Sequence, residues 1–252
     1  MLIVANWKAY VEDFARAKKL LALSKRLART SGLTIALAPP APFLGAFAAK
    51  RPAKGGRQHI EFAAQDVSGT TGGAVTGEVT AGALAAAGAS YAIIGHSERR
   101  ALGETASIVT EKLAHALAHG LIPILCIGER DRDGEGRYLA TIREQITSAV
   151  QALTPKERAR VIVAYEPVWA IGKTAADALD PNDLTEMVSY IRKVLAEHLP
   201  GKSATRAKVL YGGSVESANA RDLARATGID GFLVGHASVD PDSFTALLRQ
   251  IS

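Results

Sequence analysis

The stretch Val161–Ala175 contains the side chain that is best placed to act as a general base. It reads V-I-V-A-Y-E-P-V-W-A-I-G-K-T-A, and its apolar start with β-branched residues is typical of a strand buried on both faces. Proline disfavours helical backbone in the residue before it, so Pro167 predicts that the strand ends at Glu166. The apolar segment that follows predicts a cover that excludes water, which raises the proton affinity of a carboxylate. An acid that only caps the next turn is the alternative.

Two further candidates, Lys8 and His96, stand within three residues of the end of an apolar run. A lysine at a strand exit can hold an anionic substrate and stabilise developing negative charge, although Lys8 can equally be an ordinary exposed lysine. His96 opens a helical turn, which favours a neutral imidazole that can act as acid and base, and a structural histidine is the alternative. The turns Gly212–Ser214 and Gly235–Ser238 are small enough for backbone N–H groups to converge on a phosphate, or are simple tight turns.

Alternating strands and helices must position these residues. Eight short apolar runs predict strands at Leu2–Ala5, Leu33–Ala38, Ile60–Ala64, Tyr91–Ile94, Ile122–Ile127, Val161–Ala164, Lys208–Tyr211 and Gly231–Val234. Between them, 3.6-residue periodicity predicts helices at Phe14–Arg29, Ala81–Ala87, Thr105–Ala118, Tyr138–Ala152, Leu184–Leu199, Ala218–Ala226 and Ser243–Ile251, with a weaker one at Phe43–Ala49. Eight units in about 250 residues predict an α/β fold, a closed (β/α)8 TIM barrel with parallel strands, as one domain over residues 1–252. In such a barrel the carboxyl ends of the strands form one rim, so all the candidate residues are expected there.

The composition of the chain argues against several classes of protein and binding partner. The chain has 252 residues, 48% of them hydrophobic, and a net charge of +5 that suits an anionic ligand. Nucleic acid is not expected as a partner, because the basic residues are dispersed; the most basic stretch, Lys50–Arg57, is predicted to be a solvated loop. The single Cys126 permits no internal disulfide and is predicted to be a buried structural thiol. No signal peptide, membrane-length apolar run or metal-ligand spacing is present in the sequence, so we expect a cytoplasmic protein without membrane contact or metal.

The motifs taken together resemble one known family. N-W-K, T-G-E, G-H-S-E-R-R, A-Y-E-P-V-W-A-I-G, Y-G-G-S-V and G-F-L-V-G-x-A-S-x-D-P occur in the order typical of triosephosphate isomerase, over the whole chain. The resemblance implies an intramolecular aldose–ketose isomerase of glycolysis and gluconeogenesis. It would interconvert dihydroxyacetone phosphate and D-glyceraldehyde 3-phosphate through an enediolate, without a cofactor.

The resemblance also implies a role for each matching residue. Glu166 would move a proton between two carbons, neutral His96 would polarise the carbonyl, and Lys8 with Asn6 would bind the substrate and stabilise the enediolate. Phosphate-binding N–H groups would come from four residues, namely Gly172, Ser214, Gly235 and His236. Glu98 and Arg99 would hold the substrate-binding residues in place without touching the substrate.

Two departures from the family pattern affect the phosphate end. The family usually reads W-A-I-G-T-G-K-T-A in the lid over the site, whereas here Gly172 is followed directly by Lys173-Thr174-Ala175, so the lid is two residues shorter. The phosphate turn usually has two glycines, whereas this chain has Gly235-His236. Histidine can supply the same N–H group provided that the position does not need a positive φ.

The loop Gly69–Thr80 resembles the family's interdigitating loop and implies a homodimer, with Thr76 as a contact. Two other functions remain open: an isomerase of another short phosphorylated sugar, and a non-catalytic barrel kept as a scaffold. Intact Lys8, His96 and Glu166 argue against the scaffold.

Overall fold

The structure is a computed structural model that describes residues 1–49, 60–171, 178–199, 201, 206–226 and 228–252. The basic stretch Lys50–Arg57 lies outside these residues. Eight strands, all paired in parallel, close into a barrel in chain order, so the predicted (β/α)8 TIM barrel is confirmed. They are β1 (Leu2–Asn6), β2 (Thr34–Ala38), β3 (Ile60–Ala64), β4 (Tyr91–Ile94), β5 (Ile122–Ile127), β6 (Ile162–Tyr165), β7 (Val209–Tyr211) and β8 (Gly231–Val234).

The described residues form ten α-helices around the strands. They are α1 (Phe14–Ser31), α2 (Ala41–Ala48), α3 (Ala81–Ala86), α4 (Ser97–Ala101), α5 (Ala106–Ala118), α6 (Arg137–Val150), α7 (Pro155–Arg158), α8 (Pro181–His198), α9 (Ala220–Ala224) and α10 (Pro241–Ile251). All eight predicted helices are present, with ends shifted by up to three residues in most cases. Helices α4 and α7 are additional, because one turn is too short to show helical periodicity in a sequence. Among the described residues no helix is long and apolar enough to cross a membrane.

The barrel interior is filled by apolar side chains from alternate positions of the strands. This inner cluster consists of Leu2, Val4, Ala36, Ala38, Ala63, Ile93, Ile124, Cys126, Ile162, Ala164, Leu210 and Leu233. Neighbouring residues such as Ile3 and Ala5 belong instead to the cluster that the strands share with the helices. Because the interior is packed, polar chemistry is restricted to the ends of the barrel.

Cys126 belongs to the inner cluster and is 1% exposed, as predicted for a structural thiol. Burial raises the pKa of its thiol, and the nearby Glu166 carboxylate raises it further. The thiol is therefore un-ionised and a poor nucleophile.

Candidate active site

Glu166 follows β6 directly, at the rim where the strands end. Its backbone N–H donates to the Ile127 carbonyl at 2.7 Å, which continues the pairing of β6 with β5. Its side chain is only 3% exposed. Two glycines make room for this residue. A Cβ added at Gly128 would lie 1.7 Å from the backbone carbonyl oxygen of Glu166, and one added at Gly212 would lie 2.8 Å from its side-chain Cγ.

The two carboxylate oxygens of Glu166 have different neighbours. Oε2 accepts from the Ser97 backbone N–H at 3.3 Å, and Oε1 lies 3.4 Å from Nε2 of His96. The Glu98 backbone N–H donates to Nδ1 of His96 at 3.2 Å. Because a backbone N–H can only donate, Nδ1 carries no proton, and the ring is a neutral imidazole with its proton on Nε2. The neutral tautomer thus turns its N–H toward the cleft.

Lys8 reaches the same cleft from the end of β1, in a strained backbone conformation. Its φ is +46°, and it is the only non-glycine residue with a positive φ in the described part of the chain. Such a conformation costs about 1–3 kcal/mol and persists where neighbours enforce it. Here the Lys8 N–H donates to Asn6 Oδ1 at 3.0 Å, and Gln65 Nε2 donates to the Lys8 carbonyl at 2.9 Å. Gln65 also donates to the Ala38 carbonyl, so it ties the turn to β2.

Glu98 is the partner of the Lys8 ammonium group, at 2.7 Å from Nζ to Oε1. Burial opposes ionisation of Glu98, but the hydrogen bond and charge of Lys8 outweigh it and hold the pKa of this carboxyl below its ordinary value. Glu98 is therefore ionised and orients the ammonium group. Arg99 instead contacts Glu104 at 2.8 Å and Asp66 at 3.0 Å. It thus belongs to a charged network that also includes Lys112.

The turns after β7 and β8 border the same cleft, which has a volume of about 680 Å³. Its lining unites Asn6, Lys8, His96, Glu166, Ser214, Gly235 and His236. Gly172, the remaining residue expected to bind phosphate, lies outside the described residues, as does the shortened part of the lid. His236 does not have a positive φ, so histidine fits the turn without strain, and its ring packs edge-on against Tyr10 with centroids 5.7 Å apart.

A buried acid that sequence reasoning missed, Glu129, anchors the segment after Glu166. Its Oε1 accepts from the Tyr165 hydroxyl at 2.8 Å and from Trp169 Nε1 at 3.0 Å. Burial, and then the Glu129 charge, raise the pKa of Tyr165, which keeps this hydroxyl a donor. Arg132 lies over the Trp169 ring at 5.8 Å and contacts Asp183 at the start of α8 at 2.9 Å. Its position in the sequence could have identified Glu129, because it stands just after β5 as Glu166 stands just after β6.

The remaining predicted contact, Thr76, is exposed in the loop between β3 and α3. Val79 in the same loop and Leu102 after α4 are exposed apolar residues, 42% and 78% accessible. Among the described residues no group of three or more His, Cys, Asp or Glu side chains is arranged to hold a metal ion.

Comparison with known proteins agrees with this geometry. A family model described as triosephosphate isomerase matches residues 1–251. The protein named triosephosphate isomerase from Symbiobacterium thermophilum is 40% identical over 248 residues, covering 98% of this chain and 94% of that protein. Its namesake in Thermus thermophilus is 39% identical over 251 residues, with 99% and 98% covered. The one in Alcanivorax borkumensis is 41% identical over 254 residues, with 98% and 97% covered.

Proposed function

The chain belongs to the triosephosphate isomerase family, and from that premise we propose that it interconverts dihydroxyacetone phosphate and D-glyceraldehyde 3-phosphate. This proposal rests on one observation: the same cleft is lined by Glu166, neutral His96 and Lys8. A buried carboxylate, an uncharged N–H donor and a cation are what a proton transfer next to a carbonyl group needs. The reaction places the enzyme in glycolysis and gluconeogenesis.

Each of the three residues has a separate role in the proposed reaction. The Glu166 carboxylate takes a proton from the carbon next to the carbonyl group, and the electron pair of that C–H bond forms the enediolate. Nε2–H of His96 and the Lys8 ammonium group stabilise the negative oxygen. Glu166 then returns a proton to the neighbouring carbon, while His96 moves a proton between the two oxygens. Only protons change place, so no cofactor is needed.

The phosphate end of the substrate would be held by backbone N–H groups. Ser214, Gly235 and His236 border the same cleft as the Glu166 carboxylate, which supports this assignment, and Gly172 is proposed on the resemblance alone. Asn6 would bind the substrate from the end of β1. Glu98 would support Lys8 through the 2.7 Å ion pair, and Arg99 would act further back through Glu104 and Asp66.

We also propose a homodimer in which the loop Gly69–Thr80 enters the neighbouring subunit near Asn6 and Lys8. Support comes from the exposure of Thr76 and of two apolar side chains, Val79 and Leu102. Association would then help to enforce the strained turn at Lys8. Residues 1–252 are proposed to form one domain, and the place of the reaction in glycolysis supports a cytoplasmic location. Neither nucleic acid nor a membrane is proposed as a partner.

An isomerase assay with three-carbon and four-carbon phosphosugars, run side by side, tests the substrate. We expect triose turnover well above tetrose turnover, and the reverse would identify a related sugar isomerase instead. Glu166→Gln should lower turnover by at least about 10²–10⁴-fold, the usual contribution of a general base, while inhibition by inorganic phosphate is retained. If this variant keeps turnover within a few-fold of the unaltered chain, Glu166 is not the base. No turnover of either sugar by the unaltered chain would favour the scaffold.

A further inference from the structure

Glu166 lies between two separate cavities. One is the substrate cleft described above. The other, here called the rear cavity, has a volume of about 910 Å³ and lies between the residues after β4 and those after β5. Arg100, Glu104, Cys126, Glu129, Thr141 and Gln145 are among the residues that line it. Of all the described residues, only Glu166 lines both cavities.

The carboxylate presents one oxygen to each side. Oε1 is the atom near His96 of the substrate cleft, whereas Oε2 is bonded to the backbone of Ser97, a residue that lines the rear cavity. A proton taken from the substrate and held on this carboxyl group therefore has two ways out. It can return to the substrate, or it can exchange on the other side.

The rear cavity is built to hold water. Its wall includes the guanidinium group of Arg100, which donates to the Gly95 and Cys126 carbonyls, and the amide of Gln145, which bonds both the N–H and the carbonyl of Gly128. Within the described part of the chain, Oε2 of Glu104 and Oε2 of Glu129 are buried without a hydrogen-bond donor, and the two side chains are 6% and 2% exposed. Buried carboxylate oxygens of this kind are normally satisfied by water when polar space lies beside them.

We propose that the rear cavity is a water-filled route through which the proton on Glu166 exchanges with solvent during turnover. The inference rests on the proposed function, because it needs Glu166 to carry a substrate proton. In heavy water the protonated Glu166 gives its H⁺ to D₂O and takes D⁺ from D₂O, so the carboxyl group becomes COOD and the water becomes HOD. Glu166 then delivers deuterium to the product carbon instead of the hydrogen that it removed. The share of product that keeps substrate hydrogen thus measures access of water to the rear face of the base.

Substitutions at two residues that line the rear cavity test this route. Thr141→Phe on α6 and Ala101→Leu at the end of α4 each place apolar volume at the cavity, and both positions are exposed, so the fold tolerates them. The matched control is Ala140→Phe, which is the exposed neighbour on α6 and does not line the cavity. The reaction is run in heavy water, and NMR gives the fraction of product molecules that retain substrate hydrogen.

We expect that fraction to rise by at least about twofold in each cavity variant, because water exclusion suppresses proton leakage, and to stay unchanged in Ala140→Phe. The fraction reflects competition between exchange of the proton on Glu166 and its delivery to the product carbon. A change in substrate binding or product release therefore does not alter it, and slower reprotonation would lower it rather than raise it. An unchanged fraction in both cavity variants, or an equal rise in the control, overturns the route. If one cavity variant fails to fold, the other decides alone. Failure of the unaltered chain to isomerise trioses overturns the proposed function itself, which is a different result.

Discussion

Replacing Gly212 with alanine should disturb the base more than the neighbouring phosphate turn, because the three heavy atoms nearest to the added Cβ all belong to Glu166. The new Cβ would lie 2.8 Å from Glu166 Cγ, whereas ordinary contacts begin at 3.4 Å, so the side chain must move by about 0.6 Å to restore an ordinary contact. Gly212 has no positive φ, so the backbone itself accepts alanine. A misplacement of about 1 Å in an active site costs on the order of 10²-fold in rate, and we therefore expect turnover to fall roughly 10-fold or more.

The assay compares turnover, inhibition by inorganic phosphate and thermal melting of Gly212→Ala with those of Gly134→Ala. Gly134 has no heavy atom within 4 Å of an added Cβ and no positive φ, so its variant should behave like the unaltered chain. Overpacking at Gly212 should cost about 1 kcal/mol of unfolding free energy, the lower end of the usual range, because a side chain rather than backbone gives way. Phosphate inhibition should be retained. Turnover within about twofold of the unaltered chain, in a variant that melts normally, would refute the reasoning that Glu166 is held within tenths of an ångström.

Three further substitutions test the supports of the site. Gln65→Leu removes the hydrogen bonds that Gln65 donates to the Lys8 and Ala38 carbonyls. We therefore expect kcat/KM to fall by about tenfold, with unfolding free energy lower by roughly 1–2 kcal/mol, as measured by steady-state kinetics and denaturant unfolding. Glu104→Gln removes a partner of the buried Lys112 ammonium group and should cost up to about 3 kcal/mol in unfolding. Burial opposes ionisation of Glu104, but hydrogen bonds to Lys112 and Arg99 outweigh it and lower the pKa of this carboxyl. The loss of unfolding free energy in Glu104→Gln should therefore be largest above pH 4.5 and become smaller as acid protonates the carboxylate of the unaltered chain. Thr76→Arg should bury an unpaired charge in the proposed dimer contact and shift sedimentation toward the monomer, and an unaltered chain that is already monomeric at micromolar concentration would contradict the dimer.

The fold was predictable because the barrel depends on local signals. Apolar runs gave all eight strands within about one residue, since a strand that is buried on both faces must be apolar throughout its length. Pro167 gave the end of β6, whereas α8 begins at Pro181, three residues before the predicted start, because the Asp180 side chain caps it there. These features act over a few residues, so the sequence displays them directly.

The supports of the site were less predictable because they act over long separations. Gln65 reaches Lys8 across 57 positions, and Glu129 reaches Trp169 across 40. No spacing rule connects such pairs, although each residue stands at a strand exit and the closed barrel brings all the exits onto one rim. The positive φ of Lys8 was equally hidden, since lysine does not signal this backbone conformation as glycine would.

The position of the proton on His96 follows from the fold and not from the sequence motif alone. The sequence predicts a histidine at the start of a helical turn, which favours a neutral ring but does not say which nitrogen keeps the proton. In the structure, Nδ1 is occupied by the Glu98 N–H of the same turn, at 3.2 Å, so the proton must lie on Nε2. That nitrogen is the one directed toward Glu166 and the substrate cleft. The short helix α4 therefore fixes His96 as a hydrogen-bond donor on the side where the substrate's oxygens would lie.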